Sequence, residues 1–389
     1  MSAAGMADKA TAGGDPYEQR VTPLELFFDL VFVFALTQVT AFLADHLSWT
    51  GMLQGGALLA VLWWAWGGYS WLTNAVPAEE VIPARLVILS AMAAMLVASL
   101  SVPDAFGRYG VLFGSAYFVV RLLQVLLYAL ATGGTPETRR AILRLSPGFL
   151  TAPALLIVAG FLDGFAQGAL WVVALAIDYG AAFVGGVSGF RVHAGHFVER
   201  HGLVIIIALG ESIVAIGVGT SGLEIGPGVV LAAVLGVTLA AALWWAYFDL
   251  VMLVAERRLS AAKGEERARL ARDSYSYLHL PMVAGIIFVA LGIKQTLAHV
   301  GDPLEAIPAV ALCGGVALYL LGHNAFRLRD IGSVSVPRLV VTVLCCALIP
   351  VAVSIPSLII LAILAGLLCA LAAFETVRSR EFRRELRAR

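Results

Sequence analysis

Leu203-Val204-Ile205-Ile206-Ile207-Ala208-Leu209-Gly210-Glu211-Ser212-Ile213-Val214-Ala215-Ile216-Gly217-Val218-Gly219 is a run of 17 residues with one ionisable side chain. As an α-helix it is about 25 Å long at ~1.5 Å per residue, close to the ~30 Å hydrocarbon thickness of a bilayer. Neither the alternating polarity of a half-buried strand nor the polar stripe of a soluble helix is present. Runs of the same kind recur along the chain. Of the 389 residues, 60% are hydrophobic and 13% charged, the formal net charge is zero and the mean hydropathy is +0.90. A soluble domain carries about 25% charged residues. This composition excludes an ordinary water-soluble enzyme, a disordered regulator and a secreted disulfide scaffold.

Along the whole chain, about twelve segments are long enough to cross a bilayer. They fall near 24–44, 51–73, 84–102, 109–131, 146–163, 165–185, 200–220, 228–252, 276–299, 306–326, 336–354 and 356–376. Turn residues punctuate them, among them Pro83, Pro103-Asp104, Asp163-Gly164, Gly226-Pro227-Gly228, Asp302-Pro303 and Ser354-Ile355-Pro356. With the N-terminus placed in the cytoplasm, 23 of the 26 Lys and Arg fall in cytoplasmic segments; Arg108 alone falls outside, and Arg121 and Lys294 lie within spans. So strong a positive-inside bias predicts an even span count with both termini inside. Residues 1–20 read as a disordered cytoplasmic tail and 377–389 as a basic one. The four cysteines lie in apolar runs and read as small hydrophobes.

Two sequence echoes predict a duplication. Leu62-Trp63-Trp64-Ala65-Trp66 matches Leu243-Trp244-Trp245-Ala246-Tyr247, and Leu30–Leu36 matches Leu203–Leu209. Six spans per unit is an even number, so both copies enter from the same side. The fold expected is an all-α polytopic membrane protein in two parallel six-helix repeats, 21–185 and 199–376, joined by a cytoplasmic linker at 186–198.

Ionisable side chains inside spans are costly and usually face the bundle or a wet cavity, so they are the candidate pathway residues. They are Glu25, Asp29, Arg121, Asp178, Glu199, Glu211 with Ser212, Asp249 and His279. Glu25 and Asp29 are four apart and share a helix face. They read either as a cation or proton mouth or as acids favouring a helix N-terminus. Arg121 reads as a transport counter-ion or as the partner of an embedded acid such as Asp178 or Asp29. Glu211 enters about eleven residues from Arg200, which puts it ~16 Å deep, near the midplane. There it is either a proton-exchanging group or a carboxyl binding two helices together. His193, His196 and Glu199 are three apart and read as an interfacial linker, with a metal site as the alternative. The tryptophans read as packing. His279 and His323 sit near inner ends, as interfacial hydrogen-bonding groups or members of a proton relay.

Two stretches resemble the hallmark segments of the bacterial low-temperature-requirement protein A (LtrA) family. They are Arg20-Val21-Thr22-Pro23-Leu24-Glu25-Leu26-Phe27-Phe28-Asp29 with the apolar run after it, and His196-Phe197-Val198-Glu199-Arg200-His201-Gly202 continuing to Gly210-Glu211-Ser212. The resemblance covers residues 20 to 376 and implies a polytopic bacterial inner-membrane protein; it brings no reaction with it. The stretch from Phe28-Asp29 to Thr37 is also similar to the first helix of a potassium-channel family built of six-helix repeats. Here Phe stands for that family's Ser, and the seventh span lacks the motif.

With buried acids outnumbering buried bases, the function expected is a transporter or channel for a small cation, a proton or a proton-coupled solute. The alternatives are a membrane-embedded enzyme or lipid-handling protein, or a membrane scaffold in cold adaptation. No enzyme activity, cofactor, metal or nucleic-acid partner is expected. The partners expected are the lipid bilayer, an unidentified ion or solute, and a second copy of the chain in a homo-oligomer.

Overall fold

The chain is all α-helical in a computed structural model that describes residues 21–76, 81–131, 136–222 and 224–380. The tails at 1–20 and 381–389 lie outside the described residues. In chain order come α1 (Pro23–Asp45), α2 (Trp49–Ala75), α3 (Ile82–Ser101), α4 (Gly110–Ala131), α5 (Pro136–Ala159) and α6 (Gly164–Gly185). The second half holds α7 (Ala194–Gly219), α8 (Pro227–Phe248), α9 (Val251–Ala261), α10 (Gly264–Leu270), α11 (His279–Ala298), α12 (Ala306–Ala309), α13 (Gly315–Ile331), α14 (Val336–Ala352) and α15 (Ser357–Arg378). Wide π-helical turns, Ala271–Tyr277 and Val310–Gly314, join α10 to α11 and α12 to α13.

Local chemistry sets the ends of these helices. Thr22 caps α1 in a reciprocal capping box with Glu25, and Pro23 occupies the first turn, where its missing N–H is harmless. Ser48 caps α2. Gly164 turns the chain from α5 into α6 with φ +58°, a left-handed conformation that glycine adopts without strain.

Among the described residues, ten helices are long and apolar enough to cross a membrane. Two of the expected spans fall outside that set for different reasons. At 17 residues, α14 is short. The other, α2, is long but rich in indole, phenol and amide groups, and Trp63, Trp66, Tyr69 and Asn74 are all buried. It packs against α1, α4, α6, α7 and α11, so protein surrounds it. Outward-facing Leu53, Phe165, Val184 and Val343 give the molecule a surface too apolar for water and suited to lipid.

Some boundaries differ from the sequence expectation. The fifth helix begins at Pro136 rather than near 146, and runs through Pro147 and Pro153. Neighbouring helices make such interior prolines tolerable in membrane helices. The eighth segment breaks after Phe248 and resumes as α9, leaving Asp249 at the break. The seventh begins at Ala194, so His196, expected in the linker at 186–198, lies inside a helix together with Glu199.

Glycines allow the closest helix approaches. A Cβ on Gly285 of α11 would lie 2.6 Å from the Gly315 carbonyl oxygen of α13, and one on Gly315 would lie 2.8 Å from that of Gly285. Small-residue contacts of this kind let membrane helices gain dispersion energy where no hydrophobic force separates helix from lipid.

Candidate functional site: the α1–α7 seam

The two stretches that carry the family resemblance lie on helices that touch each other. Their polar contacts run in one direction along both. Glu199 accepts from the Val21 N–H (3.3 Å), His196 lies 3.0 Å from Glu25, Arg200 donates to Asp29 (3.0 Å), and Thr37 donates to Glu211 (2.8 Å). As residue numbers rise on α1 from 25 to 37, those of their α7 partners rise from 196 to 211. The helices are therefore parallel neighbours.

The lowest buried rung is held by second partners on both sides. Glu25 Oε2 accepts the Thr22 N–H at 2.9 Å and the Thr22 hydroxyl at 3.1 Å. The Asn74 amide oxygen takes the His193 N–H at 2.9 Å, which fixes the orientation of that amide. Its NH2 group then donates to the His193 carbonyl and to His196 Nδ1, each at 3.0 Å. With Nδ1 accepting, the ring proton of His196 sits on Nε2 and points at Glu25.

One turn deeper, Asp29 Oδ1 accepts from Arg200 at 3.0 Å and from the Trp66 indole at 2.8 Å. The Arg200 guanidinium is also 5.7 Å from the centre of the Trp66 ring. Both charged side chains are buried, yet among the described residues Asp29 Oδ2 and Arg200 Nε and Nη1 have no hydrogen-bond partner, Nη1 meeting Glu25 Oε1 only as an ion pair at 3.9 Å. This pair is attractive but incompletely satisfied, an arrangement that costs free energy in an apolar interior. Deeper still, Glu211 is 4% exposed and accepts from a neutral hydroxyl, that of Thr37. Ser212 beside it is fully buried, with no partner for its hydroxyl among the described residues.

Behind the seam lies a fully buried imidazole and phenol cluster. His201 Nδ1 donates to the Phe197 carbonyl at 2.8 Å, leaving Nε2 without a hydrogen-bond partner among the described residues. Its ring is 5.1 Å from Trp66 and 5.2 Å from His279. His279 Nδ1 donates to the Ser274 carbonyl (2.9 Å), a carbonyl in the π-helical turn, so its Nε2 accepts the Tyr247 hydroxyl at 2.8 Å.

Arg121 and Asp178 form a separate pair within the first half, at 2.7 Å between α4 and α6. Gln124 accepts from Arg121 at 2.7 Å, Tyr117 donates to Asp178, and the Phe149 ring lies 4.2 Å from the guanidinium. Asp249 is half-buried at the α8–α9 break, away from the seam. Glu199 is exposed. Of the candidate residues, then, Glu25, Asp29, Glu199, Glu211 and Ser212 belong to the seam, His279 stands behind it, and Arg121, Asp178 and Asp249 lie elsewhere. Among the described residues no three His, Cys, Asp or Glu side chains converge as metal ligands.

Sequence reasoning missed His196, Arg200, Trp66, Asn74 and Thr37 as members of this site. One signal was available. Glu25 and Asp29 are four apart, as are His196 and Arg200. Two acids on one helix face and two basic groups on another are complementary stripes once the helices lie parallel.

The family model described as bacterial low temperature requirement A protein (LtrA) matches residues 20–373. The chain belongs to this family. It is also similar to an uncharacterised protein of Rhizobium meliloti (strain 1021), with 33% identity over 313 residues, 77% of this chain and 75% of that one. This is therefore a multipass membrane protein of a bacterial family.

Proposed function

We propose that this chain is a carrier, not an enzyme, moving a small cation, a proton or a proton-coupled solute across the bacterial inner membrane. In this reading twelve spans form two parallel six-helix units with both termini in the cytoplasm, and the α1–α7 seam is the joint between them. Packing order supports the two units. Contacts of α1 with α2 and α3 correspond to those of α7 with α8 and α11. The succession α3, α4, α5, α6 corresponds to α11, α13, α14, α15. The tryptophan echo supports it unevenly. Trp66 and Tyr247 are both buried donors in the same polar region, whereas Trp63 and Trp64 are buried and Trp244 and Trp245 are more than 40% exposed.

The observation that carries the reading is Glu211, a buried carboxyl on one unit bonded to a neutral hydroxyl on the other. A carboxylate there has no charged partner in hydrogen-bond contact, Lys294 acting on it only through space, so bringing water or a cation to the seam changes its energy. The Asp29–Arg200 pair has spare hydrogen-bonding atoms on both sides and is poised to exchange partners when the units move. The test is flux in liposomes containing the purified protein and a pH-sensitive dye, under a panel of cation gradients. Glu211→Gln keeps the shape and the hydrogen bond but removes the charge. It should fold normally and lose pH-dependent flux. Wild-type flux in that variant would remove Glu211 from the mechanism, and absence of flux in the parent across the panel would remove the carrier reading.

A further inference from the structure

A cavity of about 560 Å³ opens where α8, α13, α14 and α15 meet α9, and none of the residues on the rungs of the seam lines it. Its volume lies within the roughly 300–1,000 Å³ range of small-molecule sites. One face of α13 supplies a stripe on its wall, with His323, Arg327 and Asp330 at intervals of four and three residues.

The charges on this wall divide into satisfied and unsatisfied groups. Arg338 and Glu375 neutralise each other through two hydrogen bonds of 2.8 Å. Arg327 donates Nε to the Ser333 hydroxyl at 3.1 Å and is in no ion pair among the described residues. Asp330 accepts the Ser274 hydroxyl at one oxygen and feels the charges of Arg329 and Arg258, while its buried Oδ2 has no hydrogen-bond partner among the described residues. Although Arg327 and Asp330 are three apart on one helix, they do not pair with each other. His323 is 1% exposed, and neither of its ring nitrogens has a hydrogen-bond partner among the described residues. Apolar surface from Trp245 and Phe326 completes the wall.

A simple anion would satisfy Arg327 but leave Asp330 Oδ2 unmet and would face Asp249 and Glu375. A simple cation would satisfy Asp330 and be repelled by Arg327. A molecule carrying both charges meets both demands. We propose that this cavity binds a zwitterion, its ammonium group on Asp330 and its oxyanion on Arg327 and His323, with a modest apolar part against Trp245 and Phe326. Two sources share that chemistry: a free amino acid from the cytoplasm, or an ammonium-bearing phospholipid headgroup from the inner leaflet. Through ring contacts the cavity wall also reaches the cluster behind the seam. The His323 ring is 5.8 Å from that of Tyr247, whose hydroxyl bonds His279, and His279 is 5.2 Å from His201. The inference deepens the carrier reading by naming a solute class, and rests on that reading only for the step from binding to transport.

Binding is measured without transport, on the full-length protein in detergent, by calorimetry and by the fluorescence of Trp245 and its neighbours. The probes are a panel of amino acids, each set against its amide and its deaminated acid. Nanodiscs of phosphatidylethanolamine set against phosphatidylglycerol form the lipid arm, with thermal shift and co-purified lipid as readouts. Saturable binding of zwitterions is expected, weakened about tenfold or more by loss of either ligand charge, as for charge-assisted hydrogen bonds. Arg327→Gln and Asp330→Asn should weaken it similarly, while Arg108→Gln on a remote loop should not. Binding in the amino-acid arm alone identifies a solute, and in the phosphatidylethanolamine arm alone a headgroup; either supports the zwitterion site. Should Asp330→Asn fail to fold, Arg327→Gln and the ligand series decide. No saturable zwitterion binding, or equal binding of the singly charged analogues, overturns the proposal. A protein that binds zwitterions yet moves nothing in liposomes would keep the site and refute the carrier.

Discussion

Replacing Arg121 with Met should destabilise the protein by about 3 kcal/mol, and replacing Asp178 with Leu as well should restore most of that loss. Arg121 and Asp178 are 1% and 2% exposed and meet at 2.7 Å, with charge centres roughly 4 Å apart. At an effective dielectric of ~20 the attraction is about 4 kcal/mol. Removing one partner of a buried pair costs roughly 3–5 kcal/mol, because the other charge is left uncompensated. Tyr117 still donates to Asp178 in Arg121→Met, and this moderates the cost. In the double variant no charge is stranded, and the orphaned Tyr117 hydroxyl leaves a residual deficit of about 1 kcal/mol. Asp178→Leu alone strands the guanidinium at a similar cost of about 3 kcal/mol, so the coupling energy from the double-mutant cycle should be about 5 kcal/mol. Unfolding by SDS titration in mixed micelles measures all four proteins. Additive single losses, or a loss below about 0.5 kcal/mol in Arg121→Met, would refute the assignment of this pair to structure.

Arg200→Gln should behave differently, because among the described residues Arg200 Nε has no hydrogen-bond partner and Nη1 meets Glu25 Oε1 only at 3.9 Å. Its stability loss should be smaller than that of Arg121→Met, while flux in liposomes falls to background; equal stability losses in the same SDS titration would erase the distinction. Gly285→Leu should disrupt the α11–α13 contact and lower the yield of folded monomer, since its Cβ would lie 2.6 Å from a backbone oxygen; size-exclusion chromatography after detergent extraction reports this. Thr22→Ala removes one half of the capping box and should cost about 1 kcal/mol by the same unfolding assay, with α1 still formed. Reporter fusions after α1, α3, α5, α7, α11 and α14 should read periplasmic, and both termini cytoplasmic; a periplasmic C-terminus would end the even-span topology.

Much of this protein was legible in its sequence because a bilayer imposes a one-dimensional rule. Each crossing must satisfy its own backbone hydrogen bonds in a helix and must be apolar over about 20 residues. Runs such as Leu203–Gly219 meet that rule without reference to any other part of the chain, and Thr22-Pro23 and Gly164 mark helix ends locally. The list of embedded acids was also legible, because a charge in an apolar run stands out. Their partners were not. Whether Arg121 meets Asp178 or Asp29 depends on which helices are neighbours and how each is rotated, and apolar helices carry little polarity to encode either. The tertiary structure gave Arg121 to Asp178, and Arg200 to Asp29. It moved His196 from linker to buried partner, and turned Trp66 from packing into a hydrogen-bond donor. It also created the cavity at His323, Arg327 and Asp330, whose walls come from helices distant in the chain. Span and depth follow from composition along the chain, whereas the pairing of buried charges follows from helix adjacency and rotation, which only three-dimensional packing fixes.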